Sequence, residues 1–212
     1  MSSLPTRIQI NEEGPREGFQ FEKGVIPTAR KIELIDSLSE TGLNHIQIVS
    51  FVNPKAVPGM ADAEEVVEGF NKKPGVRYVG LWLNDKGLKR AIDSQRLEVK
   101  GAIALSASEP FLLRNQNRTL ADNVTLLHKS MEMYAAHGVP VERAGIMATF
   151  GCNFAGDIST DTVLHTVSQA KEITAAHGQA LREIMLADTM AWATPGSIKR
   201  VVGAVQDRHP DL

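Results

Sequence analysis

The sequence predicts an α/β fold, a (β/α)8 TIM barrel of which the chain supplies about six β/α units. Short β-rich runs alternate with longer amphipathic helical patterns along all 212 residues. The strand segments are strongly apolar, as strands covered by helices on both faces of a parallel sheet must be. Polar motifs recur after nearly every strand, with no Gly-rich GxGxxG after the first. An open doubly wound sheet accounts for the alternation, but a barrel also gathers all those loops at one C-terminal face, where barrel enzymes keep their chemistry.

Taken in order, the first strand is expected at 7–11, "RIQIN", followed by "GPREGFQ" at 14–20, where Gly14, Pro15 and Gly18 suit a tight strand-to-helix turn. Helices are expected at 28–41, 62–71, 85–94, 119–137, 159–177 and 195–208, each from apolar spacing and flanking breakers. The strands between them are expected at 45–51, 76–83, 97–105, 142–150 and 181–188. Two helices close on "AAHG", at 135–138 and 175–178, where a histidine meets the negative end of the helix dipole and glycine takes the left-handed position. Ser159 before "TDTVLHTV" and Thr194 before Pro195 mark two helix starts.

Residues 1–212 therefore read as one catalytic barrel domain. Six units cannot close eight strands, and "VVGAVQDRHPDL" stops where a seventh strand is due, so the domain is expected to be C-terminally incomplete.

With 42% hydrophobic and 23% charged residues, the composition is that of an ordinary globular protein. A net charge of -2 with interspersed signs gives no footprint for nucleic acid. No segment approaches the roughly 18 apolar residues of a membrane span and no leader pattern opens the chain, so no membrane partner and a cytoplasmic location are expected. Cys152, the single cysteine, fits a reducing compartment and reads as a small, partly buried residue. None of His45, His128, His137, His165, His177 and His209 closes a strand or forms a His-x-His pair, so each reads as a strand-start, helix-face, helix-end or turn residue and not as a metal ligand.

Read together, "GPREGFQFEKG", "IVSFVNPKAVPGMAD", "SASEPFLLRNQNRT", "FGCNFAGDIS" and "LADTMAWATPGSIKRVV" are similar, in order and spacing, to the 3-hydroxy-3-methylglutaryl-CoA lyase family, within the metal-dependent aldolase-type lyases and Claisen condensing enzymes. The resemblance covers essentially the whole chain. It implies retro-Claisen cleavage of a β-hydroxy acyl-CoA to acetyl-CoA and a keto acid, with a divalent cation, magnesium or manganese, an acyl-CoA substrate and a homodimer.

Residue by residue, the resemblance makes Arg16 the group that neutralises charge on the reacting oxygens, a task its planar fork suits. Glu17 stands where these lyases usually have a metal-binding aspartate, and Gln47 where many have a glutamate, so the pair marks a divergent subgroup in which a carboxylate has moved. Asp188 and Thr189 match the family's "GDT", giving Asp188 a catalytic role and Thr189 a supporting one. Gln20, Gln47, Ser50, Asn84 and Thr189 are expected to bind substrate or support the groups that do, with Ser108 and Glu109 matching an "ASE" motif. The histidine ligands and the reactive cysteine that the resemblance implies are expected beyond Leu212. Two other readings remain. One is a 2-oxo acid condensing enzyme or aldolase of the same superfamily, which "GPRE" disfavours; the other is a barrel that binds acyl-CoA without turnover.

Overall fold

The computed structural model describes residues 7–22 and 24–212. The chain forms two compact units, Met1–Val99 and Lys100–Leu212.

In the first unit the order is α1 (Gly14–Phe21), α2 (Thr28–Ser39), β1 (His45–Ser50), a 3-10 turn (Pro58–Met60), α3 (Ala63–Gly69), β2 (Arg77–Leu81) and α4 (Asp85–Asp93). The two strands pair in parallel, His45 opposite Arg77, with a register shift between Gln47 and Val49. Ile46, Ile48 and Phe51 bury against Ile35, Val66, Phe70 and Tyr78, each large apolar side chain contributing about 1.5–3 kcal/mol on leaving water. The polar groups inside this core are matched. Ser39 Oγ donates to Ile35 O, which leaves the Tyr78 hydroxyl to donate to Ser39 at 2.7 Å and to accept the Lys73 N–H. Buried Lys31 donates to Asp62 Oδ1 and to Gly59 O, both at 2.6 Å, and so pins α2 to the 3-10 turn and the start of α3.

In the second unit the order is β3 (Gly101–Ser106), α5 (Glu109–Gln116), α6 (Leu120–Ala136), β4 (Val141–Met147), α7 (Thr160–Ala176), β5 (Glu183–Leu186) and α8 (Pro195–Arg208). Its parallel sheet runs β3-β4-β5, with Ala144 central between Ile103 and Ile184. Leu127, Met131, Val163, Val167 and Ala170 bury between the long helices and the sheet. Four helices start as the side chains dictate: Ser108, Thr119, Ser159 and Thr194 each accept a backbone N–H three residues on. Gly138 and Gly178 follow the "AAHG" histidines with φ of 65° and 69°, the left-handed conformation that stops α6 and α7.

The barrel expectation is overturned. Among the described residues the strands form one two-stranded and one three-stranded sheet, and neither closes on itself as a (β/α)8 barrel requires. The expected first strand at 7–11 is absent. Just beyond it, Glu12 makes an isolated parallel bridge to Ile46. "GPREGFQ" is not a turn but most of helix α1, with Pro15 near its start, where a missing N–H costs nothing. Residues 109–116, outside every expected helix, are helix α5.

Candidate functional site

The segment before α1 is latched to β1: Glu12 N–H donates to His45 O at 3.0 Å and Glu12 O accepts the Gln47 N–H at 2.7 Å. This latch lays the first turn of α1 along the strand and brings Arg16 over Gln47. Arg16 Nε donates to Gln47 Oε1 at 2.5 Å, Nη2 donates to Glu13 Oε2 at 2.6 Å, and Nη1 pairs with Glu17. The Arg16 side chain is only 13% exposed, while both glutamates are about half exposed. A guanidinium carries five N–H donors in a fixed plane, so three acceptors fix its orientation and leave donors for an incoming oxygen. One turn on, Gln20 Oε1 accepts from Ser50 Oγ at 2.9 Å, tying α1 to the buried end of β1.

Five of the expected residues, Arg16, Glu17, Gln20, Gln47 and Ser50, thus gather where α1 crosses β1. Asn84, expected to line the site, is the N-cap of α4, its Oδ1 accepting the Gly87 N–H at 3.0 Å. Sequence reasoning passed over Glu13. Its signal was the i, i+3 spacing to Arg16, which has meaning only once the stretch is helical.

Asp188 and Thr189 belong to the second unit. Asp188 accepts the N–H of Trp192 at 2.8 Å and of Ala193 at 3.1 Å, so both carboxylate oxygens shape the loop after β5. Thr189 Oγ1 accepts the Ala148 N–H at 2.8 Å, stitching that loop to the end of β4. Ala148 and Ala191 both sit at left-handed φ, 56° and 57°, a conformation that side-chain-bearing residues keep only where surroundings enforce it, often at functional loops. Cys152 in the same unit is fully buried. Burial pushes its thiol up, but hydrogen bonds from Ser108 Oγ and the N–H groups of Phe154 and Ala155 outweigh that and leave it below the ordinary thiol value.

The divalent cation that the resemblance implies finds no complete ligand set. Glu17 is engaged by Arg16, and among the described residues no group of three or more His, Cys, Asp and Glu side chains is placed to hold a metal ion. These described residues do not fit such an ion by themselves. A wide groove of about 770 Å³ between α3 and α4 is also no candidate for an acyl-CoA. Glu64, Glu65, Glu68 and Asp93 line it, and Arg90 there is bound to Glu64, so the field opposes a polyphosphate.

Residues 7–212 match the HMGL-like family model. The chain belongs to the HMGL-like family. It is 39% identical over 208 residues, 98% of its length, to the mitochondrial hydroxymethylglutaryl-CoA lyase of Gallus gallus, of which it spans 67%. It also superposes on the crystal structure of hydroxymethylglutaryl-CoA lyase from Pseudomonas aeruginosa with a TM-score of 0.84 and 35% identity, over 98% of this chain and 66% of that one. An HMG-CoA lyase from Acinetobacter baumannii, solved in complex with coenzyme A and 3-methylmalate, matches with a TM-score of 0.77 and 33% identity, over 98% of this chain and 65% of that one. The chain thus spans about two thirds of the length of these relatives, and as little as 54% of others. Among the described residues no helix of this HMGL-like chain is long and apolar enough to cross a membrane.

Proposed function

We propose that the protein is a carbon–carbon lyase, cleaving 3-hydroxy-3-methylglutaryl-CoA or a related β-hydroxy acyl-CoA to acetyl-CoA and a keto acid. In that reaction the tertiary hydroxyl loses its proton, its C–O bond becomes a carbonyl, and the adjacent C–C bond breaks. The electron pair passes to the thioester as an enolate, which is then protonated to acetyl-CoA. The observation that carries the reading is Arg16, a shielded guanidinium fixed on three sides before substrate arrives. Donors held in place for an oxygen that gains charge lower the barrier without having to reorganise. Glu13 and Glu17 keep the guanidinium aimed, and Gln47 does so without adding a third carboxylate. The family's lyases, one of them solved with coenzyme A, support the same substrate class.

The test is acetyl-CoA release from 3-hydroxy-3-methylglutaryl-CoA by the purified protein, with condensation of 2-oxo acids assayed in parallel. Release that Arg16→Gln abolishes supports the lyase. Condensation product favours the aldolase relative, and coenzyme A binding with neither product favours a binding protein. We propose also that magnesium or manganese takes part and that the protein is a cytoplasmic homodimer. Loss of release with a chelator and its return with either ion supports the cation, and light-scattering mass tests the dimer.

A further inference from the structure

We propose that His128 and His177 form a chelating site for a divalent transition-metal ion of the zinc, nickel or copper class, bridging α6 to the C-terminal end of α7. His128 Nδ1 lies 3.0 Å from His177 Nε2, with ring centroids 5.3 Å apart and planes tilted by 40°. Two imidazole nitrogens bound to one such ion at about 2.0–2.1 Å lie about 3.0 Å apart at a right angle, and about 3.3 Å apart in a tetrahedron. The spacing is therefore already that of a chelate, and rotation of the two rings converges their lone pairs on one point. Without the ion the same spacing serves a hydrogen bond, one ring donating and the other accepting.

Two further features favour a cation here. His177 is the C-cap of α7, its own N–H turned back to Thr174 O and Ala175 O, so the ring stands at the negative end of a 17-residue helix. His128, on α6, is half-buried, so helix packing has already ordered its side chain before any ion arrives. No third His, Cys, Asp or Glu completes the set among the described residues, which leaves the other positions to water. Neutral imidazoles select zinc, nickel and copper over magnesium, which prefers oxygen ligands. The site is thus distinct from the cation proposed for catalysis and does not depend on that proposal.

The experiment is calorimetric titration of the untagged protein with zinc chloride, nickel chloride and magnesium chloride, paired with thermal melts. The expected result is one equivalent of zinc or nickel bound, a raised melting temperature, and no response to magnesium. His128→Ala and His177→Ala are each expected to weaken binding at least tenfold, while His165→Ala leaves it unchanged. Circular dichroism checks that each variant is folded, and His128→Gln, which keeps a hydrogen-bonding side chain, separates lost ligation from lost packing. No zinc or nickel binding, or binding that survives in either alanine variant, overturns the site.

Discussion

Arg16 is the residue on which the proposed chemistry turns, and its three contacts divide into kinds. Gln47 fixes direction alone, while Glu13 and Glu17 fix direction and also add charge that sets how much of the guanidinium's positive field reaches a substrate. Arg16→Lys keeps the charge but loses the fork, so acetyl-CoA release should fall by roughly 100–1000-fold, the cost of losing an oriented donor. Steady-state kinetics check this, and a fall confined to KM would place Arg16 in binding alone. Asp62 makes a second prediction. Burial would raise its carboxyl, but the hydrogen bonds from Lys31 and Thr28 outweigh burial and hold it below the ordinary carboxylate value. A group whose folded pKa is depressed adds stability above its unfolded value, about pH 4, and loses it as pH falls through the folded one. Asp62→Asn should therefore flatten the acid limb of a stability-against-pH curve from urea unfolding. It should also destabilise at neutral pH by about 3–5 kcal/mol, because Lys31 is left buried without its counter-charge.

At the scale of elements, α1 is placed by a close backbone approach. A Cβ on Gly59 would stand 2.6 Å from Phe19 O, so glycine is what lets the 3-10 turn meet α1. Gly59→Ala should shift α1, cost about 1–3 kcal/mol in chemical denaturation and lower activity through the displaced Arg16. Most of the elements were legible from sequence because their signals are local. The caps at Ser159 and Thr194, the "AAHG" stops and the apolar spacing of α2, α6 and α7 all lie within a few residues of what they specify. What was misread was set by contacts distant in sequence. Residues 7–11 carry a strand's alternation yet lack a ladder, and "GPREGFQ" has turn chemistry but lies in a helix that Glu12 latches onto β1. The site shows the same division. Arg16 and Glu17 were visible as an odd pair, whereas Glu13 and the two-oxygen role of Asp188 depended on the conformation of the chain around them.

For the whole molecule, the strand–helix alternation gave parallel pairing correctly but said nothing about closure. Periodicity records which faces a strand buries, and those are the same in an open sheet and in a barrel. The sheets have edges, and β5 lies on one: Glu183 and Met185 are exposed while Gly145, opposite Met185 in β4, is buried. Exposed apolar groups on an edge invite pairing with other chains. Met185→Lys should reduce aggregation on heating, measured by light scattering, and move the melting temperature by little.

The three-sided grip on Arg16 also has a thermal signature. A side chain immobilised before substrate arrives has little rotational freedom left to surrender on the way to the barrier, so the reaction should carry a small entropic activation term. Freed from Gln47, the same guanidinium must be ordered within each turnover. Gln47→Ala should therefore show a more negative activation entropy in an Eyring plot, and parallel plots for the two proteins would mean that Arg16 is aimed by something other than its neighbour on the strand.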